Sequence, residues 1–177
     1  MKKVLAIVLL MVSFFVIYFL QANFFTWFTI MGVQPNLFII FVLFIGLFAG
    51  KKIGVILGIL FGFYIDLIIG RQIGISGIMF GLIGLIGEYL DKNFSKESRL
   101  TIMLMITGST AIYEIGCYAF NVITLNMNIE ILSFVKILVI EIIYNLLITI
   151  IIYPLIQRLG HSLEGVFKTR NILTRYF

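Results

Sequence analysis

Residues 4–20 read VLAIVLLMVSFFVIYFL, an uncharged apolar stretch that follows Lys2 and Lys3. A helix of this length crosses the ~30 Å hydrocarbon core of a bilayer. The composition of the 177-residue chain agrees, because 62% of its residues are hydrophobic, against ~45 to 50% in soluble globular domains. The sequence therefore predicts an integral membrane protein.

Five more apolar runs follow the first, and most of the charged residues lie between them. The runs cover residues 37–50, 53–69, 73–90, 100–120 and 137–156. They are continuously apolar and lack the alternation of lipid-facing strands, which favours helices over a β-barrel. We therefore expect an all-α, polytopic membrane protein, with six transmembrane helices in residues 1–158 and a basic cytoplasmic tail in residues 159–177.

The distribution of Lys and Arg predicts the orientation, since cytoplasmic loops retain positive charge. With the N-terminus in the cytoplasm, only Arg71 and Lys136 of the 13 basic residues lie on the outer side. Both termini are then cytoplasmic, and the net charge of +5 reflects this bias rather than a nucleic-acid partner. The basic tail either contacts membrane lipids or a cytoplasmic partner, or is simply solvated.

Lys2 and Lys3 before an apolar run also resemble the start of a signal peptide. We interpret the run as an uncleaved anchor, because it exceeds the ~7 to 15 residues of a signal core and Leu20-Gln21-Ala22 is a poor cleavage site. Aromatic residues follow the run, and they predict a belt at the outer membrane interface. These residues are Phe24, Phe25, Trp27 and Phe28.

Glycine recurs at intervals of three or four residues through the second, third and fourth runs. The residues are Gly46, Gly50, Gly54, Gly58, Gly62, Gly77, Gly81 and Gly84. Residues i and i+4 share a helix face, and a row of glycines lets another backbone approach closely in lipid. The row either packs the third and fourth helices together or forms a groove for a separate protein, and we favour packing.

Charged residues inside a membrane span are costly and are therefore candidate functional residues. Three acids of the third, fifth and sixth runs, Asp66, Glu114 and Glu141, fall in the outer half of the membrane, near polar residues of the sixth run. We name this set the polar cluster; its members are Asp66, Glu114, Glu141, Tyr144 and Asn145. Arg71 and Lys136 lie at the same level and could pair with the acids. The cluster is either a polar cavity open to the outside or a buried network that holds the bundle together, and we favour the network.

One motif suggests catalysis, since Gly74-Ile75-Ser76-Gly77 matches the Gly-x-Ser-Gly of rhomboid proteases. A nucleophilic serine needs a base within hydrogen-bond reach, but the single histidine, His161, belongs to the cytoplasmic side. The single cysteine, Cys117, and the other candidate ligands show no metal-binding spacing. We therefore predict no enzymatic activity, no metal and no cofactor.

Several short segments occur in an order that resembles one family. They are Pro35-Asn36-Leu37, Gly50-Lys51-Lys52, Tyr64-Ile65-Asp66-Leu67, Tyr113-Glu114, Glu141-Ile142-Ile143-Tyr144-Asn145 and Tyr153-Pro154. The ordered set, over residues 1–158, is similar to the bacterial rod shape-determining protein MreD family. Asn36 departs from the pattern, because many members carry Asp there.

The resemblance implies a non-enzymatic scaffold of the cell-wall elongation complex in the bacterial inner membrane. It implies MreC as a partner, and a link from cytoplasmic MreB filaments to the RodA glycosyltransferase and a penicillin-binding transpeptidase. We expect MreC to bind the outer half of the protein, at aromatic residues 24–28 and the loop of residues 121–133.

The same family also resembles the S-components of energy-coupling-factor transporters, six-helix proteins with a ligand pocket near the outer face. On this alternative, the polar cluster binds a vitamin or metal ion, and the glycine-rich faces contact a coupling subunit. Saturable ligand binding would support the transporter, whereas MreC-dependent stability and loss of rod shape on depletion would support the scaffold. We favour the scaffold because the segments match MreD.

Overall fold

The computed structural model describes residues 2–69, 73–125 and 130–168, and these residues form an all-helical structure. Within them there are six α-helices and no strand longer than the single bridge between Ile30 and Val33. The helices are α1 (Lys2–Phe19), α2 (Leu37–Ala49), α3 (Lys51–Ile69), α4 (Ile75–Asn93), α5 (Arg99–Leu125) and α6 (Ile131–Phe167). A π-helical turn, Leu20–Phe24, continues α1. The predicted all-α class is confirmed for this part of the chain.

Four of the described helical segments are long and apolar enough to cross a membrane. They are Lys2–Phe24, Lys51–Ile69, Arg99–Thr124 and Ile131–Phe167. The helix α2 is apolar but has only 13 residues, about 20 Å at 1.5 Å per residue. The helix α4 carries three charged residues in its last two turns, at Glu88, Asp91 and Lys92. Length and composition therefore identify four spans, and two shorter or more polar helices accompany them.

The short helix α2 lies at the centre of the bundle, where it packs against all five other helices. Every residue of α2 except Phe41 is buried, as expected for a helix that is apolar on all sides. The side chain of Asn36 caps its start by accepting a hydrogen bond from the Ile39 N–H at 3.4 Å. Gly50 ends the helix with a φ of 88°, a conformation that favours glycine.

Helices α3 and α4 form the most extensive contact in the bundle and run antiparallel. Gly54, near the start of α3, faces Gly84 in the second half of α4. Gly62, two turns further along α3, faces Ser76 at the start of α4. The hairpin is therefore in register along most of its length.

Helices α5 and α6 are antiparallel as well, and α1 runs parallel to α3. Tyr118 of α5 stacks on Phe134 of α6 with ring centroids 4.2 Å apart. At the opposite end, the Arg99 guanidinium lies 5.6 Å from the ring centroid of Tyr153. Phe14 of α1 stacks on Phe61 of α3 at 4.1 Å, and one turn later Tyr18 lies edge-on to Tyr64 at 6.2 Å, so that both chains advance in the same direction. Successive helices thus alternate in direction through the bundle.

This alternation gives the bundle two different ends. The lysine-rich end holds the α2–α3 and α4–α5 connections, with Lys51, Lys52 and Lys96. The aromatic end holds residues 24–33, the start of α4 and the start of α6. The two ends therefore differ strongly in charge, which is the asymmetry that a membrane protein uses for orientation.

Helix α6 extends beyond the apolar run that predicts it. It has 37 residues, about 55 Å at 1.5 Å per residue, and it contains Pro154. The predicted boundary at residue 158 falls inside this helix, which continues to Phe167. The sequence places a boundary there because Arg158 follows the apolar run, but a helix continues where its next turns still pack, as Leu163 and Phe167 do against the core. Residues 169–177 of the predicted tail lie outside the described residues.

Candidate functional site

The glycines of α2, α3 and α4 lie where backbones approach too closely for a side chain. A Cβ atom on Gly58 would lie 2.5 Å from the Phe80 carbonyl oxygen, and one on Gly54 would lie 2.8 Å from the Cα of Gly46. A Cβ on Gly84 would meet the Gly54 carbonyl directly. Glycines 46, 54 and 84 thus converge at one point where three helices cross. Since these faces are occupied by neighbouring helices of the same chain, they are closed to a separate protein.

The remaining glycines of the predicted row have looser surroundings. A Cβ on Gly77 would lie 3.4 Å from the Ile59 carbonyl oxygen, whereas one on Gly81 would meet the Ile59 side chain at 2.7 Å. Gly50 is needed for its positive φ rather than for close packing. Gly87, outside the predicted set, approaches the Leu43 carbonyl oxygen of α2, since a Cβ there would lie 2.7 Å away. Gly87 follows Gly84 by three residues, and this spacing could have predicted its close contact with α2.

Asp66 joins the end of α3 to the start of α4. Its Oδ2 atom accepts hydrogen bonds from the backbone N–H groups of Gly74, at 2.8 Å, and Ser76, at 3.0 Å. The first N–H groups of a helix have no partner within it and carry partial positive charge. Asp66 is 6% exposed and therefore acts as a buried cap supplied by the preceding helix.

Asn145 of α6 connects three helices. Its Oδ1 atom accepts a hydrogen bond from the Asn36 N–H at 2.7 Å, and its Nδ2 donates to Thr110 Oγ1 at 3.0 Å. The Thr149 hydroxyl donates to the Asn145 carbonyl at 2.7 Å. Asn145, Thr110 and Thr149 are all buried. Both ends of the amide side chain therefore form hydrogen bonds, which join α6 to α5 and to the residue that caps α2.

Glu114 and Glu141 face each other across the α5–α6 interface. Glu141 is 6% exposed, and its Oε1 atom has no hydrogen-bond partner among the described residues. Neither acid forms a salt bridge with Lys136, and the other basic residue considered for pairing, Arg71, lies outside the described residues. The carboxyl pair is thus the one part of the polar cluster whose hydrogen bonds are incomplete.

Tyr144 contacts the aromatic residues at the end of α1 rather than the acids. Its hydroxyl donates a hydrogen bond to the Phe28 carbonyl oxygen at 2.5 Å, and its ring lies edge-on to Phe25 with centroids 6.4 Å apart. Phe25 packs against the core, whereas Trp27 is 87% exposed. Phe24 and Phe28, with centroids 4.7 Å apart, are about half exposed. Tyr144 of α6 thus anchors residues 24–28, which we call the aromatic segment. The rings of Phe24, Trp27 and Phe28 in this segment remain exposed.

A second charged cluster lies at the lysine-rich end, around the end of α4. The Lys96 ammonium lies 2.7 Å from both Asp91 and Glu164, and the Lys168 ammonium lies 2.5 Å from Asp91. Lys168 also donates a hydrogen bond to the Leu47 carbonyl at the end of α2. We call these four charged residues the ionic cluster. It connects the end of α6 to α4, α2 and the α4–α5 loop.

Lys96 is well covered, with 12% of its side chain exposed, and its ammonium lies 4.9 Å from the centroid of the Phe48 ring. Burial disfavours the charge, but the hydrogen bonds to Asp91 and Glu164 outweigh it and raise the pKa of Lys96 above its usual range. Burial also opposes the charge of Asp91, but hydrogen bonds from Lys168 and Lys96 outweigh it and lower the pKa of Asp91. Lys96 and Asp91 are therefore charged at neutral pH. Sequence spacing could not find the cluster, because Lys96 and Glu164 are separated by 68 residues.

Ser76, the serine of the rhomboid-like motif, has a structural role. Its N–H donates to Asp66, and its Oγ accepts a hydrogen bond from the Tyr113 hydroxyl at 3.3 Å. His161 packs edge-on against Phe48, near the opposite end of the bundle. Among the described residues, no group of three His, Cys, Asp or Glu side chains is placed to hold a metal ion. The geometry around Ser76 is that of a helix start.

Comparison with known proteins identifies one family. The model of the rod shape-determining protein MreD family matches residues 1–162, which covers all six helices except the last turn of α6. No curated protein and no solved structure matches the chain.

Proposed function

The chain belongs to the rod shape-determining protein MreD family, and from that premise we propose that it is the scaffold that couples MreC, on the outer side of the inner membrane, to the cytoplasmic MreB filaments and the peptidoglycan synthases. The family match over residues 1–162 carries this proposal. The family is one of structural, shape-determining proteins, so a role in determining rod shape follows from membership. The partner assignments and the surfaces below are our own inference.

We infer that the six helices cross the membrane six times, with both termini in the cytoplasm. The alternating helix directions support this, because they gather the lysine-rich connections at one end. Helix α2 is short for a span, but it is enclosed by the other helices, and irregular backbone is tolerated at membrane depth where protein covers it. We propose, on this topology, a six-helix domain in residues 1–158 followed by a basic tail, with a fold similar to that of S-components.

The aromatic segment is our proposed binding surface for MreC. Trp27, Phe24 and Phe28 are 87%, 51% and 54% exposed, yet the Tyr144 hydrogen bond to Phe28 fixes the backbone below them. Rigid, exposed aromatic side chains are typical anchors of protein interfaces. The rest of the protein offers few other outer surfaces, since most of its mass is helix within the membrane.

The lysine-rich end is our proposed cytoplasmic surface. The ionic cluster fixes the end of α6 and Lys168 against α4 and the α4–α5 loop. We propose that an MreB filament or a synthase on this side binds the short loops and the basic tail. The scaffold thereby presents one surface on each side of a rigid bundle.

Co-purification with MreC tests this proposal. Replacing Phe24, Phe25, Trp27 and Phe28 together with alanine should abolish recovery of MreC from native membranes in mild detergent. The matched control replaces Leu5, Leu9, Val12 and Val16 with alanine, since these four residues of α1 are between 53% and 61% exposed and face the lipid. Unchanged recovery of MreC by the aromatic variant, at normal expression, would refute the surface.

The transporter alternative gives a different result in the same preparation. Purified protein that binds a vitamin saturably, with loss of binding in a Glu141→Gln variant, would identify an S-component function. We favour the scaffold because Asp66 and Asn145 already use their hydrogen-bonding atoms within the protein, which leaves few polar groups for a ligand.

A further inference from the structure

Lys136 is a cation that the chain does not neutralise. All eight Asp and Glu residues lie within the described ranges, and none of the salt bridges there includes Lys136. Its side chain is exposed. The nearest acid in sequence, Glu130, precedes it by six residues and therefore projects from a different side of α6. The Lys136 ammonium is therefore available to pair with an anion from outside the chain.

The ammonium stands at a groove with apolar walls. The groove has a volume of about 520 Å³ and is lined by Met31 and by Leu132, Val135, Lys136 and Val139 of α6. This volume lies within the ~300 to 1,000 Å³ range of small-molecule sites. Lys136 provides the charge and Ser133 a hydroxyl group, and the other lining residues are apolar. The groove therefore matches a ligand with an apolar chain and an anionic group.

A strained turn forms one wall of the groove. Met31 has a φ of 52° and Gly32 a φ of 81°, and reciprocal backbone hydrogen bonds between Ile30 and Val33, at 3.0 and 2.9 Å, close the turn. A positive φ is uncommon for a residue with a long side chain. The turn holds Met31 76% exposed at the mouth of the groove, and such strain tends to occur where a position serves binding.

The position of Lys136 along α6 matches the membrane surface. Directly after it, residues 137–156 form an apolar run interrupted by Glu141, and this length of helix spans ~30 Å, the thickness of the hydrocarbon core. The ammonium therefore lies at the level of lipid headgroups, while Val139 lies one turn deeper.

We propose that this groove binds an anionic phospholipid, with the phosphate at the Lys136 ammonium and one acyl chain along Val139 and Ile140. A lysine at the membrane surface attracts anionic lipid, and an ammonium forms strong, charge-assisted hydrogen bonds with phosphate oxygens. The lining of the groove includes none of the aromatic residues 24–28, although Leu132 lies within the loop of residues 121–133 where MreC is expected. Lipid binding can be measured without MreC. A lipid bound in the groove lies beside the aromatic segment, which is the proposed surface for MreC.

Native mass spectrometry of the purified full chain tests the site, with phosphatidylglycerol and phosphatidylcholine of identical acyl chains as the probes. Phosphatidylglycerol should bind preferentially. The Lys136→Gln variant should lose about fivefold in affinity for phosphatidylglycerol, the effect of one lysine at a membrane surface, with no change for phosphatidylcholine. Lys52→Gln is the matched control, because Lys52 is exposed at the opposite end of the bundle, and it should retain the preference.

A second variant tests the groove itself. Val139→Trp leaves Lys136 in place and fills the groove, so it should weaken the binding of both lipids while thermal unfolding shows a folded protein. Equal binding of the two lipids by the wild-type chain would overturn the proposal. Full competition by inorganic phosphate would also overturn it, because the site would then recognise an anion alone. Unchanged lipid binding by Lys136→Gln, with loss of MreC, would identify the groove as a protein surface instead.

Discussion

Asn145 accepts a hydrogen bond from the backbone N–H of Asn36 across 109 positions of sequence, with a distance of 2.7 Å. This bond places the polar side chain of the last helix directly beneath the start of the central one. The same amide group donates to Thr110, so three helices meet at one buried residue. In lipid, where apolar contact does not drive helices together, such bonds help to specify which helices are neighbours.

Replacing Asn145 with leucine should destabilise the protein by about 2 kcal/mol, because a buried N–H and a buried hydroxyl lose their partner. The measurement is the free energy of unfolding in mixed micelles. Asn93→Leu is the control, since Asn93 is exposed and bonds only within its own helix, and it should change stability by less than ~0.5 kcal/mol. Equal changes in the free energy of unfolding of the two variants would show that the hydrogen bonds of Asn145 do not contribute to stability.

Replacing Gly84 with alanine should destabilise the protein by at least ~1 to 3 kcal/mol, the cost of overpacking. The new methyl group would meet the Gly54 carbonyl, which belongs to the backbone and cannot turn away. The opposite result is expected for Gly108→Ala, because no atom lies within 4 Å of a Cβ there and alanine is favoured over glycine inside a helix by up to ~1 kcal/mol. Thermal unfolding of both variants measures the difference, and a stable Gly84→Ala protein would contradict the close packing.

Substitutions of Asp66 test whether its side chain acts as a helix cap. Asp66→Asn keeps an oxygen that accepts from Gly74 and Ser76, so it should retain stability within ~0.5 kcal/mol, whereas Asp66→Leu should lose about 1 to 2 kcal/mol. The measurement is again the free energy of unfolding. A large loss in Asp66→Asn would mean that the charge itself is required at this position.

Removing Lys96 should weaken the lysine-rich end. In Lys96→Met, Glu164 loses its lysine partner and Asp91 keeps only Lys168, which should cost about 2 kcal/mol, the scale of hydrogen bonds to charged groups. Lys92→Met serves as the control, because the Lys92–Glu88 pair is within one helix and Lys92 is 69% exposed; such pairs contribute ~0.3 to 0.5 kcal/mol. Hydrogen exchange of the α6 C-terminal turns should rise in Lys96→Met alone.

Much of the architecture could be predicted from hydropathy, since all six apolar runs correspond to helices. The ends of those helices were less predictable. Helix α6 continues past Arg158 to Phe167 because its later turns pack on the core, and hydropathy does not register such contacts. The row of glycines predicted close helix contact, but which helix each glycine meets depends on the register of the hairpin, which periodicity alone does not define.

The polar residues illustrate a second limit. Charge inside a span identified Asp66 and Glu141 as unusual, yet the sequence could not tell that one caps a helix and the other faces Glu114. No sequence pattern predicts the ionic cluster, because its members are far apart in the chain and each one, taken alone, resembles a solvated surface residue. Three-dimensional pairing decides the role of a charged residue.

Cysteine labelling in intact cells tests the membrane arrangement on which the account depends. In a Cys117→Ala background, a membrane-impermeant maleimide should label Thr29→Cys at the aromatic end and should leave Ser95→Cys at the lysine-rich end unlabelled until the cells are permeabilised. Both positions are exposed on the protein, so access depends on the membrane alone. Labelling of Ser95→Cys in intact cells would contradict the orientation and, with it, the assignment of the two surfaces.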